Sequence, residues 1–196
     1  MAGIQKAKSE ETQRRVLDAA VKAVEAGGLD AVNIRKIAAE AGYSVGSVYK
    51  HFADQDELLI AVNTLTLARI GKAMSDAVRD EEDPLMQLKA LARTYLEFAR
   101  RNRNLWTALF VHRLPQGRPV PETHIEGNIA LLAFIADPLR RLDPTFSDEQ
   151  LAARTRTCFA AVHGLVEISL EERFVGLSGD SMDSELMYLV DRLAGV

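Results

Sequence analysis

The chain has 196 residues, of which 47% are hydrophobic and 27% charged, with a formal net charge of −4 and a single cysteine. That length suffices for one sizeable core or for a small module joined to a larger one, and the composition excludes a disordered chain. One cysteine excludes an intramolecularly stapled scaffold and points to a reducing cytoplasm. The longest apolar run, Ile129 to Ala136, is far below the roughly 18 residues of a membrane span, Met1 to Glu11 carry no apolar signal-peptide core, and the acidic balance excludes a broadly basic nucleic-acid coat.

All six prolines lie at or beyond Pro84, whereas the first 83 residues are punctuated by glycine, asparagine, serine and aspartate. This shift predicts a small, tightly turned unit over 1–52, followed by longer helices over 53–196 separated by proline breaks. No period-2 segment bounded by turn signals and no internal repeat is present, so the expected fold is all-α with about nine helices. Thr12 to Ala26 carries the apolar stripe Leu17, Ala20, Val21, Val24 and stops at Gly27-Gly28. Asn33 is placed to cap a short helix over Ile34–Ala41 ended by Gly42, and Ser44 to cap a second over Val45–His51. Asp54 opens a long helix to about Val78. Further helices are expected over Asp83–Arg101, Asn104–Leu114, Thr123–Leu142, Asp148 to about Phe174, and Met182–Leu193.

Two short helices joined by Gly42-Tyr43-Ser44 form the pattern of a helix-turn-helix. Glycine suits the sharp end of the first helix because it enters a left-handed backbone without steric cost. In the second helix Val48 and Phe52 face inward. Val45, Gly46, Ser47, Tyr49, Lys50 and His51 are left outward, a mixture suited to phosphates and base edges in a major groove.

These residues resemble the tetracycline-repressor (TetR) family of bacterial regulators. The resemblance rests on Arg15-Val16-Leu17-Asp18-Ala19-Ala20, Gly28-Leu29, Ile34 through Gly42, Ser44 through Phe52, and Asp54 through Leu59, covering about residues 10–60 without a gap. It implies a three-helix DNA-binding head fused to a helical ligand-binding and dimerisation body. By position it implies operator contacts from Asn33, Arg35, Ser44, Val45, Ser47, Tyr49, Lys50 and His51. Gln55 departs from the family pattern, which places a phosphate-contacting lysine there. Phe159 through Leu165 is similar to the tryptophan–histidine–glycine pattern of one C-terminal body type, with Phe159 where tryptophan is usual. The resemblance also implies a homodimer through the last two helices. Leu165, Ile168, Leu186, Leu189, Val190 and Leu193 have the spacing of an intermolecular seam, and a dimer implies a near-palindromic double-stranded operator.

The expected function is therefore ligand-responsive transcriptional control, most simply repression released by a small apolar effector, with no cofactor and no catalytic role. Trp106, Phe110 and Phe134 are the expected effector contacts, with His163 as a polar partner, although helical spacing alone makes each a core residue. His112 and His124 flank a Pro/Gly-rich loop and suggest no metal site, and Cys158 and His163, five apart on a helix, do not form a nucleophile–base pair. Two rivals remain: an all-α small-molecule carrier or enzyme with an incidental helix-turn-helix, and a protein-association module with a DNA-incompetent head. Residues 1–53 hold eight Lys/Arg against six Asp/Glu, whereas 54–196 hold 16 against 22, so the acidity belongs to the body.

Overall fold

The computed structural model describes residues 2–171 and 176–195. Among these residues the chain forms nine α-helices and no strand. The helices are α1 (Ala2–Gly27), α2 (Ile34–Ala41), α3 (Val45–Tyr49), α4 (Gln55–Val78), α5 (Pro84–Arg101), α6 (Arg103–Val111), α7 (Glu122–Leu142), α8 (Asp148–Leu170) and α9 (Gly179–Ala194). None is long and apolar enough to cross a membrane. The expected end of α8 near Phe174 lies outside the described residues.

Three local features differ from the sequence expectation. Helix α1 begins at Ala2 rather than Thr12. Residues 3–11 are all exposed, and these turns are held by local polar pairs such as Lys6–Glu10 and the Thr12 hydroxyl donating to the Lys8 carbonyl at 2.8 Å. An apolar stripe cannot reveal such a segment. A 3₁₀ turn, Leu29–Ala31, follows α1 directly, and a Cβ on Gly27 would stand 2.9 Å from the Ala31 Cβ. Helix α3 closes at Tyr49 instead of His51, because the His51 amide donates back to the Val48 carbonyl at 2.9 Å and tightens the last turn.

The chain divides into two compact units. One gathers the chain up to Leu67 together with Asn102–Ile125; the other gathers Ala68–Arg101 together with the chain from Glu126 onward. In the first unit α1 packs on α2, α3 and α6. Val16, Ala20 and Val24 from α1, Ile37 and Ala38 from α2, Val48 from α3, Leu58 and Val62 from α4, and Leu105 from α6 share one core with Phe52. Each large side chain removed from water there contributes about 1.5–3 kcal/mol before entropy is counted. The Asn104 amide, donating to the Glu25 carbonyl at 2.8 Å, ties the start of α6 to the end of α1.

In the second unit α5 packs on α8 and α9. Leu88, Leu91, Ala92, Tyr95, Leu96 and Ala99 repeat at helical spacing along α5 and are all buried. Lys89 pairs with Asp191 at 2.6 Å and Arg100 with Asp183 at 3.3 Å, which fixes the register of α5 against α9. Leu186 and Val190 are 0% and 5% exposed within this single chain. They are spent on internal packing, which corrects their assignment to an intermolecular seam. Ile168 and Tyr188 remain at the surface of α8 and α9.

Candidate nucleic-acid interface

The pair α2–α3 is set by two side-chain caps and one glycine. Asn33 Oδ1 accepts from the Arg35 and Lys36 amides at 3.0 and 3.2 Å, occupying donors that the start of α2 otherwise leaves unsatisfied. At the other end Gly42 takes φ +79° and ψ 30°, and its amide bonds back to the Ala38 and Ala39 carbonyls. The Tyr43 amide donates to Ala38 at 2.8 Å and completes the reversal. Ser44 then caps α3: its Oγ accepts from the Ser47 amide at 3.2 Å and lies 2.9 Å from Ser47 Oγ. The Arg15 guanidinium lies over the Tyr43 ring, 5.5 Å from its centroid, and braces the turn against α1.

This framework presents one face of α3 outward. Val48 is fully buried, which fixes the rotation of the helix, while Tyr49 is 51% exposed. Lys50 is exposed as well; Val45, Ser47 and His51 are half-buried. Lys50 and His51 stand on the closing turn, so their side chains leave from just beyond the helix rather than from its flank. On α2, Arg35 and its exposed neighbour Lys36 lie in the first turn, beside the Asn33 cap. Lys36 escaped the sequence reasoning, although its place next to Arg35 in the first turn was readable.

Gln55 is exposed and is the first residue of α4. Asp54 Oδ1 accepts from the Glu57 amide at 2.9 Å, and the Glu57 carboxylate accepts from the Ala53 amide at 2.6 Å. The segment following α6 closes over this helix start. Arg118 Nη1 pairs with Asp54 Oδ2 at 2.5 Å, His112 Nε2 with Asp56 Oδ1 at 3.0 Å, and His124 Nδ1 with Thr64 Oγ1 at 3.0 Å. The Arg118 guanidinium, and after it the Glu57 amide, hold the Asp54 carboxyl below its usual range. Burial, reinforced by the neighbouring His112, lowers the pKa of His124. The 64-residue separation of Arg118 from Asp54 left no trace in the sequence pattern. Among the described residues no cluster suited to a metal ion is present.

The four expected effector contacts are divided between the two units. Trp106 and Phe110 belong to α6 in the first unit, their rings tilted with centroids 5.3 Å apart. Phe134 lines a recess of the second unit with Val78, Gln87 and Asp137. A separate apolar cavity of about 50 Å³ in that unit is lined by residues that include Met74, Leu91, Tyr95, Cys158, Phe159 and Val162. His163 stands behind its wall, with Nδ1 2.8 Å from the Tyr95 hydroxyl.

Comparison with known proteins agrees with this organisation. Residues 16–62 match the family model described as bacterial regulatory proteins, tetR family, and residues 88–193 match the tetracyclin repressor-like C-terminal domain. A TetR-family transcriptional regulator from Rhodococcus sp. shares the fold with a TM-score of 0.73 at 20% identity, over 94% of this chain and all of the other. RolR, solved with resorcinol, gives 0.71 at 22% identity, over 97% of this chain and 91% of the other. FadR from Bacillus subtilis, solved with stearoyl-CoA, gives 0.71 at 13% identity, over 93% and 97%. With family models covering the helix-turn-helix and more than half of the chain beyond it, the chain belongs to the TetR family of bacterial transcriptional regulators.

Proposed function

We propose that the protein is a dimeric, cytoplasmic transcriptional repressor that leaves a near-palindromic operator when a small apolar molecule binds its body. Residues 1–52 serve as the DNA-binding head and 53–196 as the effector-binding and dimerisation body. Arg35 and Lys50 supply cationic phosphate contacts, and Asn33, Ser44 and Gln55 supply neutral ones. Val45, Ser47, Tyr49 and His51 face the groove floor. The observation that carries the proposal is α3 itself. A five-residue helix, capped by Ser44 and locked by fully buried Val48, keeps Tyr49 half exposed next to an exposed lysine. Packing has no use for that arrangement; a major groove has.

Effector response is supported by the apolar cavity of the second unit and by the small molecules bound in RolR and FadR. Helix α4 follows the head directly along the chain, and its residues from Ala68 onward belong to the unit that holds the cavity, so it is the covalent lever between the helix-turn-helix and the cavity. An effector favouring a body conformation in which the two heads are wrongly spaced for DNA lowers operator affinity, and the operator lowers effector affinity by the same factor. Dimerisation is supported by exposed Ile168 on α8 and Tyr188 on α9. A mobility-shift titration with the DNA upstream of the protein's own gene tests the proposal. The expected result is a salt-sensitive, sequence-preferring complex that is lost in Tyr49→Ala/Lys50→Ala at unchanged melting temperature. A complex indifferent to sequence, or untouched by the double substitution, contradicts it.

A further inference from the structure

The start of α4 carries negative charge close to the helix that reads DNA. From Lys50 to Glu57 one lysine and one histidine stand against the carboxylates of Asp54, Asp56 and Glu57. Two of these acids close the helix start: Asp54 Oδ1 accepts from the Glu57 amide at 2.9 Å, and the Glu57 carboxylate accepts from the Ala53 amide at 2.6 Å. Four residues of chain span at most about 14 Å, and the major groove is about 12 Å wide. A groove occupied by α3 and Lys50 therefore has a phosphate wall within reach of Asp54, where a bare carboxylate repels it.

The segment after α6 delivers a cation to this spot. Pro115 to Arg118 form a hydrogen-bonded turn: the Arg118 amide donates to the Pro115 carbonyl at 3.1 Å, and Gly117, third in the turn, supplies φ +83°. The buried His112 side chain pins the segment to Asp56 at 3.0 Å. Arg118 Nη1 then reaches Asp54 Oδ2 at 2.5 Å, while the arginine side chain remains 29% exposed. A guanidinium has five N–H donors, and among the described residues Asp54 is the only side chain that Arg118 bonds. A partly solvated pair of this kind adds little stability, but it holds a fork of spare donors in one place. We propose that Arg118 is a DNA-contacting residue from outside the helix-turn-helix, whose guanidinium bridges Asp54 and a backbone phosphate of the duplex bound by α3. The proposal rests on the DNA-binding reading of the head.

Fluorescence anisotropy on the full chain tests it, with a labelled duplex carrying the DNA upstream of the protein's own gene and salt varied from about 50 to 200 mM. The logarithm of affinity falls with the logarithm of salt by about 0.9 for each phosphate neutralised. Arg118→Ala and Arg118→Gln should each lower that slope by about 1 per head, so that the wild type loses about 3- to 4-fold more affinity per head across this range. Arg118→Lys, which keeps the charge, should keep the wild-type slope. The loss caused by Arg118→Ala should persist when Asp54→Asn is already present, because a phosphate contact does not need the carboxylate. A slope that Arg118→Ala and Arg118→Gln both leave unchanged overturns the contact and leaves DNA binding by the head standing. A loss that vanishes in the Asp54→Asn background also overturns it, since Arg118 would then only screen a carboxylate. A wild-type protein that forms no salt-sensitive complex overturns the DNA-binding reading and this proposal with it.

Discussion

Replacing Gly42 with alanine should destabilise the protein, whereas the same replacement at Gly46 should stabilise it slightly. Gly42 closes α2 at φ +79°, a conformation that costs a residue with a Cβ about 1–2 kcal/mol. Crowding adds nothing there. The nearest atom to the new Cβ is Arg15 Nη2 at 3.7 Å, ordinary contact with the end of a flexible side chain. Gly46 lies inside α3, and its Cβ would meet only Ser44 Oγ at 3.9 Å. Alanine is favoured over glycine in a helix by about 0.5–1 kcal/mol, through backbone entropy. Two chemically identical substitutions four residues apart should therefore differ by about 1.5–3 kcal/mol. At about 2–4 °C per kcal/mol for a chain of this size, the variants should melt on the order of 3–12 °C apart. Circular-dichroism melts at one fixed protein concentration measure this directly, and Gly42→Asn should recover part of the loss because asparagine tolerates the left-handed region. A Gly42→Ala melt at or above wild type, or equal shifts of one sign in both variants, would refute the argument that the backbone sets the helix-turn-helix angle.

Other consequences can be checked separately. Lys50→Ala should weaken binding evenly across DNA sequences and lower the salt slope by about 1, read from anisotropy titrations at several salt concentrations. Arg118→Ala should let the Asp54 carboxyl pKa rise toward its usual value in an NMR pH titration, with little change in stability because the pair is partly solvated. His124 and His163 both have pKa values lowered by burial, so the folded chain binds fewer protons than the unfolded chain as pH falls through the ordinary histidine range near 6.5. Their contribution is complete above that range and is lost as pH falls below it through the lowered folded-state values; urea melts should show the decline, and His163→Gln should flatten it.

What the sequence disclosed was mainly short-range. Asn33, Gly42 and Ser44 act on neighbours within four residues, so both caps and the left-handed turn were legible. The α5 stripe was legible because one face meets one core. The first turns of α1 were not, since their stabilisation is polar and local and leaves no apolar period. The site side chains were harder still. Trp106, Phe134 and Tyr95 all sit at helical spacing, and only the packing of α4, α5, α7, α8 and α9 decides that Tyr95 and Phe159 share a cavity. Arg118 on Asp54 and Tyr95 on His163, separated by 64 and 68 positions, have no signature in a single sequence. The seam residues Leu186 and Val190 failed for the complementary reason: an apolar stripe states that a face is covered, not whether α5 or a second chain covers it.

The central claim is that a symmetric pair of these heads reads double-stranded DNA. Repeated selection of binding fragments from a random-sequence duplex pool, followed by sequencing, tests it most directly. The account predicts an enriched, two-fold symmetric motif whose half-site centres lie about 10–10.5 base pairs, or a multiple of that, apart. Enrichment should vanish when Tyr49 and Lys50 are replaced by alanine. A pool that stays unenriched with the wild-type protein, or an enriched motif that survives the double substitution, would contradict it.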